Sequence, residues 1–250
     1  MILLVSDTHS YFQTVNEQIA YAENTLNVPV SCVIHLGDFG IYKSNLHDFF
    51  TKQKARFERP LYFIEGNHED FVGFPWLTKK YKEYFTHLPR CTINTIGGYR
   101  FLCLGGADYM DSMVTQQGAV ISDKHIDKCL ALAPEEVDII LTHDCPRGIG
   151  VPNTPGFEHY GETGFSRSEE LIAHFKPKLW LFGHHHKWFQ FQDSHTAYYG
   201  LGSSWRGFGL LDDNFQVQFV KNDINLPHEE TLFEKLLAKF KLTRPNIAPR

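Results

Sequence analysis

The 250-residue sequence predicts a layered α/β fold with mixed sheets. Three observations point there. Short apolar runs alternate with helical patterns through the first 180 residues or so. Most of these runs stop at a small polar cluster, often opened by glycine. A closing series of short strands follows. Composition agrees with a globular domain: 42% of residues are hydrophobic, 21% are charged and the net charge is −5.

Taken in order, Ile2–Val5 is an apolar strand, and a helix follows from Thr14, where Thr14…Glu17 matches a capping box. Val30–Leu36 is a second strand, 44–57 a helix and Leu61–Ile64 a third strand, with 76–86 helical. Phe101–Leu104 is a fourth strand, 122–133 a helix and Val137–Leu141 a fifth strand. The Gly- and Pro-rich stretch 146–163 is a long loop, and loops of that length inside a domain usually serve a function. A helix at 166–175 (capping-box match Ser166…Glu169) leads to a sixth strand, Leu179–Phe182. Stretches 197–201, 207–211 and 216–220 are expected as a closing meander, and 229–240 has helical spacing.

Several classes are excluded. The acidic balance argues against an extended duplex nucleic-acid partner, whose phosphates need many Lys and Arg contacts. No run reaches the roughly 20 apolar residues of a membrane span. Five dispersed cysteines without a CxxC pair, and an N-terminus without a basic flank, lead us to expect a reduced, cytoplasmic chain. Oligomeric state is not encoded legibly.

The chemistry concentrates at five strand ends: Asp7-Thr8-His9, Gly37-Asp38, Gly66-Asn67-His68, Thr142-His143 and Gly183-His184-His185-His186. Ligands collect beyond the carboxyl ends of strands in open α/β sheets. In extended chain, i and i+2 share a side, so Asp7 with His9, and His184 with His186, are expected to grip an ion, His185 pointing away. Glycine before the clusters is expected to permit sharp turns. Asp7, His9, Asp38, Asn67, His143, His184 and His186 make an oxygen and nitrogen set without thiolate, suited to Mn²⁺, Fe or Zn²⁺; we expect Mn²⁺, with Fe or Zn²⁺ as alternatives. Seven such ligands exceed what one ion takes. Two ions, roughly 3.5–4 Å apart and bridged by Asp38, would use them all and would draw in an anionic phosphate ester.

In this order, the blocks DTH (7–9), GD (37–38), GNHE (66–69), His143 and GHHH (183–186) resemble the calcineurin-like metallophosphoesterase superfamily. The resemblance implies a four-layer α/β/β/α sandwich of two mixed sheets flanked by helices. It implies that Asp7, His9, Asp38 and His186 hold one ion and Asp38, Asn67, His143 and His184 the other. His68 then contacts the phosphate or assists the leaving oxygen, and a hydroxide bridging the ions attacks phosphorus. The expected activity is hydrolysis of a phosphate mono- or diester. Alternatives are a nuclease or debranching-like phosphodiesterase, and a non-catalytic protein-binding scaffold. Where many members carry Asp or Arg after Gly-Asp, and Asp after Asn-His, this chain has Phe39-Gly40-Ile41 and Glu69.

Arg147 is a candidate for bidentate phosphate contact, a solvated loop arginine being the alternative. Trp76, Tyr109, Trp188 and Trp205 are read as core or rim packing ahead of pocket lining, and Cys145 as packing rather than a nucleophile. Residues 1–221 are expected as the catalytic domain, with 222–250 a helical extension packed on it.

Overall fold

A computed structural model describes residues 1–108 and 116–226. Twelve strands among them form two six-stranded mixed sheets. In the first, β1 (Ile2–Val5), β2 (Cys32–Leu36), β3 (Leu61–Ile64) and β4 (Thr86–His87) run parallel. β11 (Gly207–Leu211) pairs antiparallel with β1, and β12 (Val217–Lys221) with β11. In the second, β6 (Tyr99–Leu104), β7 (Ile139–Thr142), β8 (Leu179–Phe182) and β10 (Ala197–Gly200) run parallel. β5 (Thr92–Ile96) and β9 (Phe189–Gln192) close its edges antiparallel.

Period-two alternation splits each strand between two cores. Ile2, Leu4, Ile34 and Ile64 of the first sheet pack against Phe101, Ile139, Leu141 and Leu181 of the second. The opposite side chains, Leu3, Val5, Val33 and Phe63, meet α1 (Gln13–Ala20), α2 (Lys43–Leu46) and α3 (Phe74–Lys80) through Val15, Ile19, Leu46 and Leu77. On the far face, Ile140, Trp180 and Tyr198 meet Ile126 and Cys129 of α4 (Asp123–Leu130) and Leu171 of α5 (Ser168–Phe175). The layers are therefore α/β/β/α. No helix among the described residues is long and apolar enough to cross a membrane.

Some local expectations are corrected. The closing strands do not form a meander: β10 lies beside β8 in one sheet, while the β11–β12 hairpin lies beside β1 in the other. β5 and β9 were not legible, although Gly97-Gly98 closes the β5–β6 hairpin, pairing Ile96 with Tyr99. Thr14 does not cap α1, because its hydroxyl bonds Tyr11 O (2.7 Å) and Ser204 Oγ (2.8 Å). Ser166 does not cap α5 either, which starts after Arg167 at φ 63°. The N-terminal box that does form joins Ser122 to His125 on α4. The helix expected over 44–57 is shorter, and widens into a π-helical stretch at His47–Lys52. The expected 229–240 helix and Tyr109 fall outside the described residues. The start of the extension, 222–226, folds back on the domain: Asn222 exchanges side-chain and backbone hydrogen bonds with Gln18 (2.9 and 3.2 Å).

Candidate metal centre

All the parallel strands of the first sheet end on one side, and β7 and β8 of the second end facing them. The seven candidate ligands sit just past β1, β2, β3, β7 and β8. Their backbone is not extended. Asp7, His9, Asp38, His184 and His186 have φ of 54°, 45°, 54°, 64° and 53°. This left-handed backbone costs on the order of 1–3 kcal/mol per residue and persists only where surroundings over-determine it. Here Asp7 N donates to Gly37 O (3.0 Å) and His9 N to Asp38 O (2.9 Å), so the two loops hold each other in this shape. The pairing of Asp7 with His9 thus comes from turned backbone, which corrects the extended-chain argument.

Glycine works here mostly by its size. A Cβ on Gly66 would lie 2.1 Å from Asp38 N, and one on Gly183 would lie 1.8 Å from Ser6 Oγ. Only Gly37, at φ 91°, also needs the left-handed turn.

Two groups of ligand atoms result. Asp7, His9 and His186 lie within 4.8 Å of one another, as do Asp38, His143 and His184. Asp38 reaches toward both groups: Oδ1 is 3.3 Å from His143 Nε2, and Oδ2 is 3.8 Å from His9 Nε2. Asn67 Oδ1 is 3.1 Å from His143 Nε2. The His143 ring is oriented from behind, Nδ1 donating to Leu36 O at 2.7 Å, which turns Nε2 toward the centre. Asp38 Oδ1 is held by Asn67 N (2.8 Å) and His68 N (2.7 Å). His68 itself is exposed, its ring 5.3 Å from that of His9.

The electrostatics are those of charges packed closely in a buried site. Burial raises the carboxyl of Asp7, but the hydrogen bond and charge of His186 outweigh it and bring Asp7 to about 2. Burial opposes ionisation of Asp38 too, yet His143 holds it well below the usual range. Burial lowers His143, while the Asp38 charge raises it to about 10. His184 is pushed down to about 4 by burial. The donors fit divalent cations. Asp7 Oδ1 is buried with His186 Nε2 beside it at 3.2 Å, and that same nitrogen faces His9 Nε2 at 3.3 Å, where at most one can donate. A cation would satisfy all of these atoms at once.

The remaining candidates fall into place around this centre. His185 turns from it to Asp144 Oδ1 (2.9 Å), a buried acceptor that also takes Cys145 N (2.8 Å). The Cys145 thiol is buried and pushed far up by burial, which keeps it a thiol, unsuited to attack. Arg147 lies in the cavity wall, with Nη2 on Asp108 Oδ2 (2.8 Å) and Nε and Nη2 on Gly164 O (3.2 and 2.9 Å); a phosphate would compete with these partners. Trp205 stands beside the centre, 6.2 Å from the His9 ring and 6.3 Å from that of His186. Trp188 packs against the core between the sheets, and Trp76 is exposed under Lys80.

Glu69 was legible only as a departure, and so was Phe39-Gly40-Ile41. They are one feature: the buried Glu69 carboxylate accepts Phe39 N (2.9 Å), Gly40 N (3.0 Å) and Ile41 N (2.5 Å). Burial, with Asp38 nearby, pushes it up to about 8, while these donors pull the other way. Sequence reasoning also missed Phe157 and Tyr160. They line a cavity of about 540 Å³ that includes His68, His184 and His186. Aromatic side chains in the loop already marked as functional were the available signal.

Comparison with known proteins follows the same lines. No sequence among curated proteins matches the chain. Among solved structures, TT1561 of Thermus thermophilus is 15% identical with a TM-score of 0.58, covering 88% of this chain and 97% of that one. GAP50, the anchor in the inner membrane complex of Plasmodium, is 12% identical at 0.55, covering 98% and 94%. The phosphopantetheinyl hydrolase PptH of Mycobacterium tuberculosis is 12% identical at 0.52, covering 92% and 96%. At these identities the likeness is one of fold. The family model of the calcineurin-like phosphoesterases matches residues 1–188, a span that runs from β1 past the last candidate ligand, and the chain belongs to that family.

Proposed function

We propose that the protein hydrolyses a phosphate mono- or diester at a centre of two divalent ions. Asp7, His9, Asp38 and His186 would hold one ion, and Asp38, Asn67, His143 and His184 the other. The observation that carries this reading is the pair of ligand groups, each within 4.8 Å, with one carboxylate reaching toward both. When bound, such ions supply Lewis acidity toward the phosphoryl oxygens and make water acidic enough to be a nucleophile near neutral pH. Manganese is our first choice, iron or zinc fitting the same donors.

The chain's own residues do the rest. Leu36 O orients the His143 ring, and the backbone N–H groups of Asn67 and His68 hold the Asp38 carboxylate, so little reorganisation accompanies reaction. The exposed ring of His68 lines the cavity, where it gives a proton to the departing oxygen. Arg147 braces the wall beside it through Asp108 and Gly164.

The scaffold reading has a counterpart in the fold of GAP50, an anchor. The intact donor set of this chain speaks against it. We expect about two metal ions per chain, and turnover of bis-p-nitrophenyl phosphate or p-nitrophenyl phosphate, the preferred one telling diesterase from monoesterase. Asp38→Asn and His68→Ala should each reduce kcat/KM at least about hundredfold, the scale of positioned proton transfer and charge stabilisation. Wild-type rates in either variant, or less than one ion per chain, would overturn the assignment.

A further inference from the structure

We infer that His185 and Asp144 are positioning residues for one half of the centre: Asp144 anchors His185, whose ring braces His184 toward the ion it shares with Asp38, Asn67 and His143. The inference rests on the two-ion reading and adds what holds one of its ligands. The histidines of this second ion are oriented in different ways. Leu36 O fixes the His143 ring from behind at 2.7 Å. Among the described residues no hydrogen bond fixes the His184 ring. It lies instead between the rings of His143 and His185, with centroids 4.9 Å away in both cases and planes at 62° and 73°. His143 is itself a ligand, so the brace from outside the centre is His185.

The backbone at His184 needs that support. Its φ is 64°, in a three-residue turn closed by His185 N donating to Gly183 O (2.7 Å). Such a turn at positive φ is a strained form, kept only where its surroundings over-determine it. Asp7 Oδ2 takes His184 N (3.2 Å) on one side of the turn. On the other side the hold is the His185 side chain, whose Nε2 lies 2.9 Å from Asp144 Oδ1, the two side chains being 12% and 4% exposed.

Asp144 is a firm anchor. Besides His185 it accepts Cys145 N on Oδ1 (2.8 Å) and Asp108 N on Oδ2 (3.0 Å), and its carbonyl takes Thr142 Oγ1 (2.6 Å). Thr142 Oγ1 in turn accepts Trp180 Nε1 (2.8 Å), so the anchor is tied to β7, β8 and the loop after β6. The ligand atoms of Asp144, Cys145 and His185 also lie within 4.8 Å of one another, but the three donors already on the carboxylate suit an anchor rather than a third metal site. His186 has its own hold, Asp7 Oδ1 at 3.2 Å, so the first ion does not depend on this anchor. Partners that orient a ligand in this way typically change metal affinity about 10–100-fold when removed.

The test is Mn²⁺ titration of the full-length protein, followed by electron paramagnetic resonance of the free ion, with His9→Ala and His184→Ala marking which binding step belongs to which ion. His185→Ala and Asp144→Asn should each weaken the second ion about tenfold or more and leave the first within about twofold. Asp144→Asn added to His185→Ala should cost little more, since both act through one ring. His185→Gln, which still offers an N–H to Asp144, should bind the second ion more tightly than His185→Ala; binding no tighter overturns the role of Asp144. If Asp144→Asn does not fold, the two substitutions at His185 carry the test. Equal weakening of both ions means a general loosening and overturns the inference, as does an unchanged second ion in His185→Ala. A third Mn²⁺ on the wild-type protein that is lost in Asp144→Asn makes these residues ligands and overturns it too. Fewer than two ions on the wild-type protein refutes the two-ion reading itself, whereas two ions indifferent to His185 refute the anchor alone.

Discussion

Glu69 shows how much rests on single side chains around the centre. Its carboxylate is the common acceptor for three successive N–H groups that follow Asp38, so it shapes the loop that aims Asp38. Glu69→Gln keeps the size but turns an amide N–H₂ toward donors. Buried groups left unpaired cost about 1–3 kcal/mol each, and we expect a loss of that order in urea unfolding, together with reduced metal uptake. An unchanged midpoint would show that the loop holds its shape without this acceptor. Asp7, Asp38 and the histidines were legible from residue type and order. The reason Glu69 replaces a shorter acid was not, because it lies in a reach across to residues some thirty positions earlier.

At the scale of elements, neighbouring strands are tied at their entry as firmly as at the site. Arg100 at β6 grips Asp138, just before β7, through Nε (2.8 Å) and Nη2 (2.9 Å), and Asp138 N returns a bond to Arg100 O (2.9 Å). The hydrogen bonds from Arg100 lower the Asp138 carboxyl below its ordinary value. A depressed acid contributes stability above its unfolded value of about 3.9, and that stability is lost as pH falls through the folded value. Wild type should therefore lose more stability than Arg100→Met between about pH 6 and pH 3, with the gap between the two melting curves closing at the acid end. A gap that stays constant with pH would remove the ionic explanation. Strands with clean apolar runs, such as Ile2–Val5 and Leu179–Phe182, were readable within a residue. β5 (Thr92–Ile96) and β9 (Phe189–Gln192) were not, since both are edge strands whose polar, part-exposed residues carry little apolar signal.

For the whole molecule, the centre is where the two sheets meet. Ligands come from β1, β2 and β3 of one sheet and from β7 and β8 of the other. A cation bound there joins both halves of the sandwich and binds only the folded chain. Saturating Mn²⁺ at about 100 Kd should add about 2.7 kcal/mol over chelator-treated protein, raising Tm by about 5–10 °C for a chain of this size. Equal melting with and without chelator would mean that no ion bridges the sheets.

By itself the sequence determined the family, the alternation of strands and helices, and the residue types gathered at the strand ends. These are written in local order: an apolar run, a glycine, then acid, amide or imidazole. Which strands share a sheet, the left-handed backbone that pairs Asp7 with His9, the clasp of Glu69 and the ring-lined cavity were decided only by the tertiary structure. Each depends on the distance between segments far apart in the chain, and no local pattern of residues records that distance.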